Sequence, residues 1–577
     1  MNLPISRVPL FSFSLALLGL VGSALPGRAA TVNWDGGGGG AFQWADGVNW
    51  GANVIPLSGD SLNFNSAVGT TNINNLGAGF LIGGIAFGTS STTAYSISGD
   101  SINLAGNITA QSNATTPPVH VINLGLALQQ TVYVGHWGSL TLGGDISGAQ
   151  QLTAGMGGTL TLSGANSFSG GLVAGGSGTV LIANAGALPA GGTLFVHRGA
   201  TIGFSGQEVS QATLERFSGT SAGTYAIGAD TAAALDFSGH TGLSLGAVSG
   251  STVVYSGALT PGGSTYRLGG GGGTLNLTGA NQLTGARGLV VSGTGTVGLQ
   301  EAQDYTGATT VIGGTLNIGV NGSILNTSDI TINGGTLTIA NTLATNSGNR
   351  VADTTAITLN GASTLALTNN GGAANYAETL GQVNVNGGVT IATPSQAASG
   401  RTSTITINTL NRGAGSTVLF SGSSGLGGTR NSLVIGSGAT PTNGILPWGR
   451  VGTEDWATVG ANGIVAYTGY ETSTTLADWG TTDNVWAKAN ATLTGPMTIN
   501  SIKLGKNAFA DPETPIDLNL GGNLLTLTSG GVLIPQRNNL VTISSGSLTA
   551  GALDAGGEIM ILSSNTAGAG RLTVSAA

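Results

Sequence analysis

Residues 158–188 read GTLTLSGANSFSGGLVAGGSGTVLIANAGAL. Across Thr159, Leu160, Thr161 and Leu162 hydroxyl and aliphatic side chains alternate, and they do so again across Thr336, Leu337, Thr338 and Ile339. That period of two puts the aliphatics on one strand face and the hydroxyls on the other. Ser-Gly, Gly-Ala-Asn and Asn-Gly-Gly clusters punctuate the strands and supply the positive φ angles that turn a corner without a Cβ clash. Gly-Thr-Leu starts at 158, 192, 273, 314 and 335, and Gly-Thr-Val at 178 and 295. Neighbouring starts lie 20 (158 to 178), 22 (273 to 295), 19 (295 to 314) and 21 (314 to 335) residues apart. One solenoid coil has about that length. The pattern predicts an all-β chain wound as a parallel β-helix, with Leu and Ile inside and coils stacked about 4.8 Å apart. About 25 such coils would make a rod of roughly 120 Å.

Composition narrows the alternatives. Gly accounts for 103 of 577 residues without a strict every-third period, which excludes a collagen-like triple helix, and a 40% hydrophobic share excludes wholesale disorder. Only 7% of residues are charged, the net charge is -8, and the 16 basic residues are scattered singly, so nothing tracks a nucleic-acid backbone. With no Cys there is no disulfide framework, thiolate metal site or lipidated N-terminal Cys. An outer-membrane barrel needs aromatic girdles, and aromatics are 5% of the chain. At the N-terminus, Arg7 precedes an apolar run from Leu10 to Val21, then Pro26, Gly27, Arg28, Ala29 and Ala30. Residues 1–30 read as a secretory signal peptide, and the run is too short for a membrane-spanning helix. The mature chain is expected to be secreted or displayed on a bacterial cell surface, with no transmembrane helix.

The segment 158–188 resembles the autotransporter-associated β-strand repeat, also called the passenger-associated transport repeat. Residues 273–299, GTLNLTGANQLTGARGLVVSGTGTVGL, form a second match, and 304–318, DYTGATTVIGGTLNI, carries the repeat's tyrosine-threonine-glycine corner. The stretches from Glu378 (ETLGQVNVNGGVTIATPS) and Gly444 (GILPWGRVGTEDWATVGANGIVAY) are similar to segments of the same proteins. The resemblance implies a right-handed β-helical passenger on a bacterial surface, a repeat that aids export or folding, and no catalytic residue. A full autotransporter ends in a membrane β-barrel, whereas this sequence stops mid-strand at Leu572–Ala577. Outer-membrane anchoring would then require a barrel beyond this chain or on another protein.

Composition shifts divide the chain. Trp34, Trp44 and Trp50 mark residues 31–110 as an irregular, aromatic-containing N-terminal cap with the first coils, because an open solenoid end must be covered. Residues 111–440 are the repeat β-helix. Residues 441–577 contain a Trp-rich insert and then a second solenoid segment starting near 475, where WGTTDNVWA from Trp479 echoes the stretch from Trp50. Trp137 stands alone.

Few residues invite chemistry. Gly293, Gly295 and Gly298 spell a dinucleotide-binding pattern, but no helix follows to hold a pyrophosphate. Glu454, Asp455, Glu471, Asp478 and Asp483 lie beside Trp456, Tyr467, Tyr470 and Trp479, and those four aromatics are the candidate glycan contacts. No spacing places the carboxylates on adjacent coils, so solvated loop acids and a capping aromatic cluster are the plainer reading. His120, His136, His197 and His240 are isolated, which suggests surface or corner positions and no metal site. Asn and Thr on stacked coils are expected to form side-chain ladders. The sequence therefore predicts a non-catalytic scaffold or adhesin without cofactor, its partners extracellular glycan or cell-surface components. The alternative is a secreted polysaccharide-active or glycan-binding β-helix.

Overall fold

The computed structural model describes residues 29–38, 42–88, 93–110, 115–207, 209–319, 321–341, 348–369, 374–393, 400–422, 425–505, 515–535, 540–551, 557–563 and 571–575. The leader assigned to residues 1–30 lies outside the described residues apart from Ala29 and Ala30. Short strands stack in parallel as a β-solenoid of about 19 turns. In the early turns three strands make one coil: Phe80–Ile82, Gly84–Phe87 and Ser96–Gly99 stack on Ile102–Leu104, Ile108–Ala110 and Val119–Ile122. Later turns use two strands, as where Thr296–Leu299 and Thr309–Ile312 stack on Thr315–Ile318 and Asp329–Asn333. Gly313 and Gly314, at φ +71° and +61°, turn the corner between the last strand of one coil and the first of the next.

The repeat spacing is the stacking register. Thr159 sits beside Thr179, Thr274 beside Thr296, Thr296 beside Thr315 and Thr315 beside Thr336. Alternation decides the facing: Leu160, Leu162, Leu275, Leu277, Leu337 and Ile339 are buried while Thr161, Asn276 and Thr338 between them are half-buried on the flank. Burying each aliphatic contributes about 1.5–3 kcal/mol, and the solenoid repeats that contribution coil after coil. Side-chain ladders reinforce the flank, with the Asn360 amide donating to Asn333 at 2.8 Å and the Asn386 amide to Asn360 at 3.0 Å.

The coil count is lower than the 25 anticipated because coils at both ends of the first stack are longer than the repeat: Thr31 stacks on Ser61, 30 residues on. Thr296 stacks on Thr315, 19 residues on, but Thr364 stacks on Thr390, 26 on, and Thr390 on Leu419, 29 on. In addition, Leu446–Val451, Asp455–Gly460 and Gly463–Ala466 form an antiparallel meander that adds no turn. Its outer strands still pair in parallel with the last coil, Val418 beside Gly449 and Leu433 beside Gly463.

The N-terminal end of this first stack is filled by aromatics. Trp34, Trp44 and Trp50 are fully buried around Phe64, and each indole N–H is satisfied: by Val68 O at 3.2 Å, Asn72 Oδ1 at 2.8 Å and Trp44 O at 2.8 Å. Beyond the meander, Asn484–Ala487, Met497–Leu504 and Leu524–Ile534 stack in parallel, with a second face of Ala491–Thr492, Ile516–Asn519, Leu540–Ser544 and Arg571–Val574. This second stack has its own core, built on Ile499, Ile502, Leu518 and Leu527. Among the described residues no helix is long and apolar enough to cross a membrane.

Candidate functional site

The aromatic candidates of 441–486 lie at the joint between the two stacks. In the meander strand Asp455–Gly460, Trp456 points away from solvent and is fully buried with Ile445, Leu533 and Leu562. A Cβ on Gly531 would stand 3.0 Å from its ring, so the glycine is what lets the second stack close on the indole. Tyr467 and Tyr470 pack on this cluster and meet edge to face at 5.0 Å. The Tyr467 hydroxyl donates to Gly469 O at 2.7 Å, and the Tyr470 hydroxyl accepts from Trp456 N–H at 3.1 Å. Burial, with Asp455 adding to it, pushes the Tyr470 phenol far above its usual range.

Lys503 completes the joint. It stands beside Trp486 in the parallel register, fully buried, with Nζ 2.7 Å from Asp455 Oδ1, 4.0 Å from the Trp486 ring centre and 4.8 Å from that of Tyr470. Burial lowers the Lys503 ammonium pKa, and the Asp455 carboxylate opposes that shift. Lys488 Nζ lies 3.9 Å from the same indole centre. Aromatic rings, the bonded Asp455 carboxylate and the charge of Glu454 thus hold a desolvated cation, an electrostatic clasp between the meander and the second stack.

Trp456 and Trp479 accordingly do not present a ring to a ligand. Trp479 is buried in the second core and donates its indole N–H to Ser473 O at 2.9 Å. The acids of the region are not brought into one groove. Glu471 accepts from Ser473 N at 2.6 Å, Asp483 from Gly480 N at 2.7 Å and Asp478 from the Ser473 hydroxyl, all local turn contacts. The histidines also differ from expectation: His120, His136 and His240 are buried, and His197 alone is exposed. His120 stacks on Phe87 at 4.1 Å and its Nδ1 accepts from Tyr95 N at 3.2 Å, so burial and this bond favour the neutral ring, with the pKa lowered to about 4 by desolvation. Gly293 and Gly295, at φ +78° and +98°, belong to a coil corner.

Sequence reasoning missed a different surface. On the outer side of the stack Val132–His136, Leu152–Met156, Leu172–Ala174 and Leu194–Val196, Thr153, Val173 and Phe195 stand in register over a groove of about 670 Å³. Gln151, Thr193 and Ser218 line its edge, and His197 meets Phe195 at 4.7 Å with the rings 77° apart. One coil below Thr153, the Tyr133 ring lies over Gly135 and Gly155, at whose positions any side chain would strike it. Trp137, just past the end of the same strand and with its ring against Gly157, is 55% exposed, while Trp34, Trp44, Trp50 and Trp456 are wholly covered. The signal was available in the alternation: Val132 and Val134 take the buried phase, leaving Tyr133 and Trp137 on the phase that elsewhere carries threonine. No family model, curated protein or solved structure matches the chain.

Proposed function

We propose that the chain is a non-catalytic bacterial scaffold of the autotransporter-passenger kind, exported by the leader at residues 1–30 and displayed on or released from the cell surface. The observation that carries this reading is the coincidence of the Gly-Thr-Leu repeat with the stacking register, Thr159 on Thr179 and Thr296 on Thr315. A repeat that sets each coil on the last builds length and a long uncharged flank. Such a flank suits many shallow contacts in parallel more than one deep reaction centre. Intact-mass measurement on culture medium and on the outer-membrane fraction tests it. A leader-cleaved species outside the inner membrane supports export, and a full-length cytoplasmic species with residues 1–30 retained removes it.

A second reading, glycan binding, is favoured by the exposed Tyr133 and Trp137 and the Phe195–His197 corner. Such rings can stack on the apolar face of a sugar while neighbouring hydroxyls and amides bond its oxygens. Retention of the purified chain on immobilised neutral polysaccharide supports it, and passage without retention counts against it.

A further inference from the structure

The groove over Thr153, Val173 and Phe195 is a shallow trough open to solvent along the flank. Its volume, about 670 Å³, falls in the range of small-molecule sites, roughly 300–1,000 Å³. Its walls combine one flat apolar face, the Phe195 ring, with the uncharged donors and acceptors of Gln151, Thr153, Thr193 and Ser218. The residues that line it include no Asp, Glu, Lys or Arg, and the one cation at its rim, the Arg216 guanidinium, is engaged with Gly191 O at 2.9 Å and Gly192 O at 3.3 Å, so the walls themselves favour an uncharged ligand. His197, set at 77° to Phe195, closes a corner in which one ring faces a ligand and the other presents nitrogens at its edge.

Two further observations extend the surface along the solenoid axis. From the Tyr133 coil to the Phe195 coil is three stacking steps, roughly 14 Å at the usual strand spacing. Beside the column Tyr133, Thr153, Val173 and Phe195 runs a second one of glycines at 135, 155 and 175, on which the Tyr133 ring lies at one end and His197 borders at the other. At the middle of this floor Met156 holds φ +78°, while the matching corner of the next coil has Gly176 at +64°. A bulky residue in that region is strained, and strain of this kind collects at working surfaces. Met156 reaches back over Gly135, beside the Tyr133 ring.

We propose that this face binds a neutral oligosaccharide lying along the solenoid axis, with sugar rings stacked on Phe195 at one end and on Tyr133 and Trp137 at the other. The inference rests on the glycan-binding reading and locates it away from the 441–486 aromatics. Hydroxyl groups along the chain would bond Gln151, Thr153, Thr193, Ser218 and His197.

The test titrates cellohexaose, chitohexaose and maltohexaose against the full chain and three variants: Phe195→Ala with Trp137→Ala, Val173→Arg to fill the groove, and Trp479→Ala as a remote control. Circular dichroism checks that each variant keeps its β signature. Saturable binding of one hexasaccharide that weakens about tenfold or more in the first two variants and not in the third supports the proposal. Binding that survives both groove variants overturns the location while leaving glycan binding in place. Absence of binding to all three probes overturns the proposal together with the reading on which it rests.

Discussion

Lys503 and Asp455 form an asymmetric ion pair: Nζ and Oδ1 are 2.7 Å apart, the lysine side chain is wholly buried, and the aspartate side chain keeps 26% of its surface exposed. The two residues belong to different bodies, the meander that closes the first stack and a strand of the second. Asp455→Ala strands a cation between two aromatic rings, a loss of about 3–5 kcal/mol. Lys503→Met leaves a carboxylate that water can reach, so its cost is smaller, about 1–2 kcal/mol. Hydrogen exchange in Met497–Leu504 and Asp455–Gly460 should show greater loss of protection in Asp455→Ala. Equal loss in the two variants would contradict this account.

Trp456 is predicted to be structural. Trp456→Ala empties the contact with Gly531, Leu533 and Leu562, at a cost of about 3–5 kcal/mol, and loosens the joint. Limited proteolysis should then cut near the meander, while binding of any glycan by the 133–197 face persists.

His120 makes the first coils sensitive to acid. Its pKa is lowered to about 4 in the fold against an ordinary 6.5, so the neutral ring's contribution is complete above pH 6.5 and is lost as pH falls through 4. Protonation must also break the Tyr95 N–H bond to Nδ1. The effect is on the order of 2–3 kcal/mol. In the wild type, exchange protection of Val119–Ile122 should fall between pH 6.5 and 4 more steeply than in His120→Gln. Parallel pH profiles would assign the acid sensitivity to other groups.

Coil-to-coil distance constrains particular glycines. A Cβ on Gly106 would lie 1.6 Å from Gly83 O of the coil below, so Gly106→Ala must force two turns apart, at a cost of at least about 2 kcal/mol. Gly239 has nothing within 4 Å of the same notional atom, and Gly239→Ala should stay within about 0.5 kcal/mol of wild type. A solenoid is held by nearest-neighbour contacts, so the damage at 106 should appear as local exchange in Gly84–Phe87 and Ile108–Ala110 before it appears elsewhere.

The repeat coils were legible because a strand's period and a coil's length are local properties. Thr159, Leu160, Thr161 and Leu162 state which face is inward, and the spacing to Thr179 states which residue stacks above. Alternation holds wherever a strand lies on one core, so the interior was readable from the side chains themselves. The site was far less legible. Neighbouring acids and aromatics made Trp456 look like a ligand platform, while Trp137 stood alone in the sequence with no acid or aromatic cluster to mark it.

What the sequence determined by itself is the solenoid: its period, its aliphatic interior, its hydroxyl flank and its glycine corners. Outside the repeat strands only the tertiary structure decided which aromatics stay in solvent, because that depends on which distant segment packs over each one. Gly531 admits Trp456 to a joint made by two stacks, while the coils above Trp137 carry glycine at 157 and leave its ring uncovered. Burial outside a repeat is a contact between residues remote in the chain, and no local pattern encodes it.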